Sequence, residues 1–143
     1  MMFKKIVAFM LLFIAVTTVV SAQNQKPVEI FHIEKGEVIH SVPSTDKIQA
    51  ETKTLIESTT GLSKRFNPIP EEGYMIKAPF EHATTIENAW FHDLVDQVVF
   101  IFPKDEKPYY LLFNDENTPF FFTFDGNTNR LLNELNFDPS SAN

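Results

Sequence analysis

Three short blocks in the second half of the chain are almost entirely hydrophobic. They are Val98–Phe102, Tyr109–Phe113 and Phe120–Phe124. The blocks begin eleven residues apart, and Thr123 is their one clearly polar residue. The connectors 103–108 and 114–119 combine charged residues with Pro and Asn. Apolar runs of this length between turn-forming residues are typical of β-strands, so the pattern predicts a three-stranded antiparallel meander.

The first half of the chain changes from a strand pattern to a helix pattern. Residues 28–33 and 37–42 alternate around Gly36, which predicts a β-hairpin with a tight turn. Pro43 ends that hairpin, and Ser44 or Thr45 can cap a helix from about Asp46 to Thr60. The apolar residues of this segment share one side, as in an amphipathic helix.

The rest of the chain completes the predicted fold. Residues 62–66 and 74–78 are expected to be strands, residues 79–92 have no clear period, and a short helix is expected over about 128–136. We therefore expect an α+β domain with a single antiparallel sheet of five to seven strands. It has one longer helix after the first hairpin and a short C-terminal helix.

The meander carries more hydrophobic surface than one core needs. The simplest symmetric pairing sets Phe102 opposite Tyr109 and Phe113 opposite Phe120. One face of the sheet is then the core, and the opposite face is expected to contain Val99, Ile101, Tyr110, Leu112, Phe121 and Thr123. A sheet face open to water is normally polar, and large apolar patches usually bind something.

Three ways of covering that second face of the sheet remain possible. The chain itself could cover it, with the helix of residues 46–60 on one face and segment 79–92 on the other. A homodimer could bury it, or an unknown protein or apolar ligand could occupy it. On the last reading, the candidate binding residues are Ile101, Tyr110, Leu112 and Phe121.

The N-terminus predicts export. Lys4 and Lys5 precede an uncharged stretch from Ile6 to Val20, and small residues at Val20-Ser21-Ala22 suit cleavage after Ala22. The expected domains are thus a signal peptide, 1–22, and a single α+β domain, 23–143. The apolar run is short for a membrane span, so we expect a secreted or extracytoplasmic product without a stable membrane span after cleavage.

Composition narrows the classes of function. The chain has 19 acidic and 12 basic residues and no cysteine. The negative charge disfavours nucleic acid as a partner, and the lack of cysteine removes thiol chemistry and thiolate metal sites. The four glycines do not cluster into a phosphate-binding loop. We expect no cofactor and no metal site.

Two other readings compete with a binding protein. His92, Asp93 and Asp96 lie close together in sequence and could serve a small secreted hydrolase or a modulator of one. Alternatively, the proline-rich segment Asn67–Gly73 could be presented to a protease by a structural or inhibitory module. Because no catalytic motif is recognisable, the sequence favours an exported, non-enzymatic binding or interaction protein that acts at or outside the cell envelope.

In general style the chain resembles the small exported proteins of low-GC Gram-positive bacteria, many of which have no assigned function. The likeness rests on the leader, the absence of cysteine and a composition rich in Lys, Glu, Asn and Phe. It implies export and carries no functional residue across to this sequence.

Overall fold

The computed structural model describes residues 25–65 and 67–140, in which one sheet and two helices form. The elements in chain order are β1 (Val28–His32), β2 (Glu37–Val42), α1 (Asp46–Glu57), β3 (Thr59–Leu62), β4 (Gly73–Glu87), β5 (His92–Pro103), β6 (Tyr109–Phe113), β7 (Pro119–Phe124) and α2 (Asn129–Glu134). The predicted cleavage site after Ala22 lies outside the described residues. No helix within the described ranges is long and apolar enough to cross a membrane.

All neighbouring strands of the sheet are antiparallel, in the order β2-β1-β4-β5-β6-β7-β3. The prediction of a single antiparallel sheet with helices is confirmed, and the meander forms β5, β6 and β7. The position of β3 is the unexpected feature, because it pairs with β7 at the far edge of the sheet. The loop of residues 63–72 must therefore pass β7, β6 and β5 before the chain enters β4.

Helix α1 starts at a local side-chain hydrogen bond and ends where the chain enters β3. The Thr45 hydroxyl accepts a hydrogen bond from the Ile48 amide at 3.2 Å, which is the usual way to satisfy a helix N-terminus. Ile48, Leu55 and Ile56 are buried on one side of the helix. The helix ends before the predicted limit at Thr60, because residues 59–62 leave it to pair with β7.

The main core lies between the sheet and the two helices, and the end of the long β4–β5 hairpin also packs against it. The pairing of β4 with β5 shifts between Pro79 and Thr84, where the hairpin bends. Beyond the bend, the Phe91 ring packs edge-on against Phe120 and Phe122 of β7, with centroids 5.3 and 5.9 Å apart. The segment 79–92, which had no clear sequence pattern, forms most of the distal half of this hairpin.

The predicted pairing of the meander is wrong by one residue at both turns. Tyr110 pairs with Phe100 of β5 and with Phe122 of β7, and Phe113 pairs with Pro119. A one-residue slip turns every side chain of a strand to the other face. The two slips compensate for β5 and β7 but invert β6, so Tyr110 and Leu112 lie in the main core.

Candidate ligand-binding cleft

The second face of the sheet contains a smaller apolar cluster. Its buried members are Ile101, Tyr109 and Leu111, and the partly buried Met75, Val99 and Phe121 pack around them. The predicted apolar second face therefore exists, although β6 contributes Tyr109 and Leu111 to it instead of Tyr110 and Leu112.

The described residues of the 63–72 loop, 63–65 and 67–72, contact this cluster. The Ser63 amide donates to the Phe121 carbonyl at 2.8 Å. Farther along, the Arg65 guanidinium lies 4.4 Å from the centre of the Tyr109 ring and forms an ion pair with Glu106. The Tyr109 hydroxyl donates to the Pro68 carbonyl. The loop thus supplies an intrachain cover, although it is the 63–72 loop and not segment 79–92, which was one of the possible covers, that contacts this face.

The four candidate binding residues do not share a surface. Tyr110 and Leu112 are both 0% exposed and belong to the main core, whereas Ile101 is equally buried on the opposite face and Phe121 lies there half-buried. Burial raises the pKa of Tyr110 to about 12, although its hydrogen bond with Thr59 opposes that shift. These residues hold the fold together on two sides of the sheet.

His92, Asp93 and Asp96 are not brought into one site either. The His92 side chain is 68% exposed, and its Nδ1 lies 3.9 Å from Glu87 Oε1. Asp93 Oδ2 instead accepts the Asp115 amide at 3.1 Å, and that hydrogen bond lowers the pKa of Asp93. Neither His92 nor Asp93 lines either of the two clefts described below.

The segment Asn67–Gly73 is also placed differently from the protease-inhibitor reading. It belongs to the loop that lies across the sheet, and its Pro68 carbonyl is already engaged by Tyr109. Ile69 of the same segment is an exposed large apolar side chain. The segment is thus attached to the sheet at Pro68 and exposed at the next residue.

The larger of two clefts described here has a volume of about 440 Å³ and lies where β1, β4 and β5 meet their turns. Segments distant in sequence line it: His32, Glu34, Gly73, Tyr74, Phe102, Pro103, Lys104, Asp105, Pro139 and Ser140. A second cleft, of about 260 Å³, lies beside the middle of β4, at the register shift between Pro79 and Thr84, and includes Asp96. The first cleft combines buried aromatic rings with charged side chains.

His32 and Tyr74 are the buried polar side chains of the larger cleft. His32 is only 7% exposed, and its Nδ1 accepts the Lys35 amide at 3.1 Å, so that nitrogen bears no proton in this arrangement. The imidazole meets the Tyr74 ring edge-on at 5.1 Å, and Tyr74 meets Phe137 in the same way at 5.1 Å. Because each ring is held by the next, this wall of the cleft is fixed in advance of any ligand.

Gly73, next to Tyr74 on β4, sets the shape of the adjoining backbone. Its φ of +128° lies in a region that favours glycine, and a Cβ built there would be 2.1 Å from the Phe102 carbonyl oxygen. Next to it, the Lys104 amide donates to the Glu72 carbonyl at 3.3 Å, and Lys104 Nζ lies 3.6 Å from Glu72 Oε2. The backbones of β4 and β5 therefore approach closely beside the cleft.

Metal binding has no support in the described ranges 25–65 and 67–140, where no group of three or more His, Cys, Asp or Glu residues could hold an ion. Comparison of the chain with protein-family models, with curated proteins and with solved structures gave no match. The cleft is therefore the feature of the molecule from which a function can be inferred.

Sequence reasoning missed this cleft and assigned no role to His32. One signal was available, because Val28, Ile30 and His32 alternate along a strand whose first two inward positions are apolar. A histidine at the third inward position is expected to be buried, and a buried imidazole needs polar neighbours. The other lining residues come from separate turns, which the sequence alone did not bring together.

Proposed function

We propose that this chain is an exported, non-enzymatic binding protein that holds a small ligand in the cleft lined by His32 and Tyr74. The observation that carries the proposal is the cleft's volume of about 440 Å³ together with its mixed apolar and charged lining. Ligand sites of proteins commonly measure about 300–1,000 Å³ and combine apolar walls with a few polar groups.

The construction of the cleft supports binding. The interlocked rings of His32, Tyr74 and Phe137 hold one wall, and the close approach at Gly73 holds the adjoining backbone. A preformed site loses less conformational entropy when a ligand binds, so less of the interaction energy is spent on ordering the protein.

The competing functions have weaker support. His92 lies near Glu87 and Asp93 accepts the Asp115 amide, whereas Asp96 lines the 260 Å³ cleft without either of them. A homodimer through the second sheet face is less favoured, because Arg65 and Pro68 already contact the buried Tyr109 on that face. Export itself is proposed from the leader, whose Lys4 and Lys5 precede the apolar stretch.

Native mass spectrometry of the protein recovered from the culture medium of its native host tests the proposal. We expect a monomer that begins at Gln23, with a fraction carrying one additional small mass. Ser140→Trp should abolish that mass, because Ser140 is an exposed residue at the cleft and a bulky ring there would fill the cleft.

The matched control is Lys53→Trp, which places the same ring on an exposed position of α1 away from the cleft lining. It should keep the bound mass, and both variants should retain the thermal midpoint of the wild type. Bare monomers in all three samples, or loss of the mass in both variants, would contradict the proposal. Persistence of the mass in Ser140→Trp would place the ligand elsewhere.

A further inference from the structure

The charges of the cleft lining do not cancel. Lys104 is the one Lys or Arg among the lining residues, and it is paired with Glu72 at 3.6 Å. Glu34 and Asp105 line the same cleft, and among the described residues no basic side chain lies within 4.0 Å of either carboxylate. The cleft therefore keeps two carboxylates without a cationic partner.

His32 contributes a ring to the wall of the same cleft. Its Nδ1 accepts a hydrogen bond from the Lys35 amide at 3.1 Å, and its imidazole meets the buried Tyr74 ring edge-on. Aromatic rings attract cations through the negative potential of their faces.

The charge of the whole chain acts in the same direction. With a formal net charge of −7, the protein attracts cations and repels anions at long range. A positively charged ligand is thus favoured by the nearby carboxylates, by the aromatic wall and by the net charge of the chain.

We infer that the ligand of this cleft is a small organic cation, an amine or quaternary ammonium compound, that places its charge near Glu34 and Asp105. This inference rests on the proposed binding function of the same cleft. The apolar part of the ligand packs against Tyr74 and Phe102, which line the cleft beside the carboxylates. An anion would meet two negative charges that have no basic partner, whereas an ammonium group can pair with these carboxylates, both of which belong to exposed residues.

Three probes of one shape test the sign of the charge. Choline is the cation, dimethylbutanol its neutral carbon isostere and dimethylbutanoate the corresponding anion, and each is titrated into the protein while its amide NMR signals are followed. We expect choline to shift the signals of Gly73, Lys104 and Asp105 and to bind at least about tenfold more tightly than either isostere. Added salt should weaken choline binding, because screening reduces the attraction.

Charge-neutralising variants locate the interaction. Glu34→Gln combined with Asp105→Asn should weaken choline binding at least about tenfold. The control combines Glu57→Gln with Glu116→Gln, which changes the net charge equally at exposed residues outside the cleft lining, and it should bind choline as the wild type does. Equal weakening in both double variants would mean that the overall field acts alone, and the assignment to Glu34 and Asp105 would be wrong.

The outcomes separate this inference from the proposed function. Equal or tighter binding of dimethylbutanol or dimethylbutanoate at the cleft signals would overturn the cationic ligand and leave the binding function standing. Absence of any shift with all three probes would also overturn the cationic ligand. A bound mass that Ser140→Trp removes would still support the cleft as a ligand site. If neither choline binding nor such a mass is observed, both proposals are wrong.

Discussion

A buried hydroxyl on α1 has no partner among the described residues. Thr52 is only 2% exposed, and its Oγ1 makes no hydrogen bond there. A buried polar group without a partner costs roughly 1–3 kcal/mol, because it gives up its hydrogen bonds to water. This residue therefore weakens a core that is otherwise apolar around it.

Thr52→Val should raise the free energy of unfolding by about 1 kcal/mol, because valine has nearly the same shape and lacks the hydroxyl. Valine and threonine also have similar helix propensities. Urea denaturation measures the change. The control is Thr54→Val, whose hydroxyl is exposed and donates to the Ala50 carbonyl at 2.9 Å, and its effect should stay within about 0.5 kcal/mol. A less stable Thr52→Val protein would show that the hydroxyl has a stabilising partner.

At the scale of elements, the strands of the meander could be predicted from the sequence, but their faces could not. A strand with one wet face alternates polar and apolar residues, and that alternation fixes which side chains point inward. The β6 sequence from Tyr109 to Phe113 is apolar throughout, so both registers looked equally acceptable. Both faces of β6 are in fact covered, which is why the strand carries no polar residue.

The loop of residues 63–72 covers the second face of β6. Much of its attachment is polar, through the Arg65–Glu106 ion pair, the stacking of Arg65 on Tyr109 and the Tyr109–Pro68 hydrogen bond. Burial raises the pKa of Tyr109, so the phenol is the neutral donor that this hydrogen bond needs.

Tyr109→Phe should loosen this loop without disrupting the sheet. The variant keeps the ring under Arg65 and loses only the hydrogen bond to Pro68, which corresponds to about 1 kcal/mol. Amide hydrogen exchange should become faster in the 63–72 loop and remain unchanged in β6. Tyr110→Phe is the matched control, because its hydroxyl contacts Thr59 on the other side of the sheet. Unchanged exchange in Tyr109→Phe would mean that other contacts hold the loop.

At the scale of the molecule, the sequence could predict local elements but not the meeting of distant ones. The cleft joins the turn after β1, the start of β4, the end of β5 and residues 139–140. Its assembly depends on β4 lying between β1 and β5, and that order follows from the packing of the whole sheet. Periodicity describes each strand separately, so the neighbours of His32 could not be derived from it.

Alkaline pH should destabilise the whole domain through one buried phenol. Tyr110 connects β6 to Thr59 in β3 and stacks on Phe122 in β7 at 5.2 Å. Burial raises its pKa from 10.0 to about 12 in the folded protein. Because the folded state holds this proton more tightly, the stabilisation is complete below pH 10 and is lost as the pH rises towards 12. A shift of two pKa units corresponds to about 3 kcal/mol.

Tyr110→Phe isolates this contribution, because phenylalanine keeps the ring and cannot ionise. Urea midpoints measured from pH 9 to pH 12 should fall less steeply in the variant than in the wild type, while ultraviolet absorbance follows phenolate formation. The two proteins differ only at residue 110, so the difference between the two curves belongs to Tyr110. Parallel curves would show that the phenol ionises without unfolding the domain, and the Tyr110 side of the core would then be accessible to water.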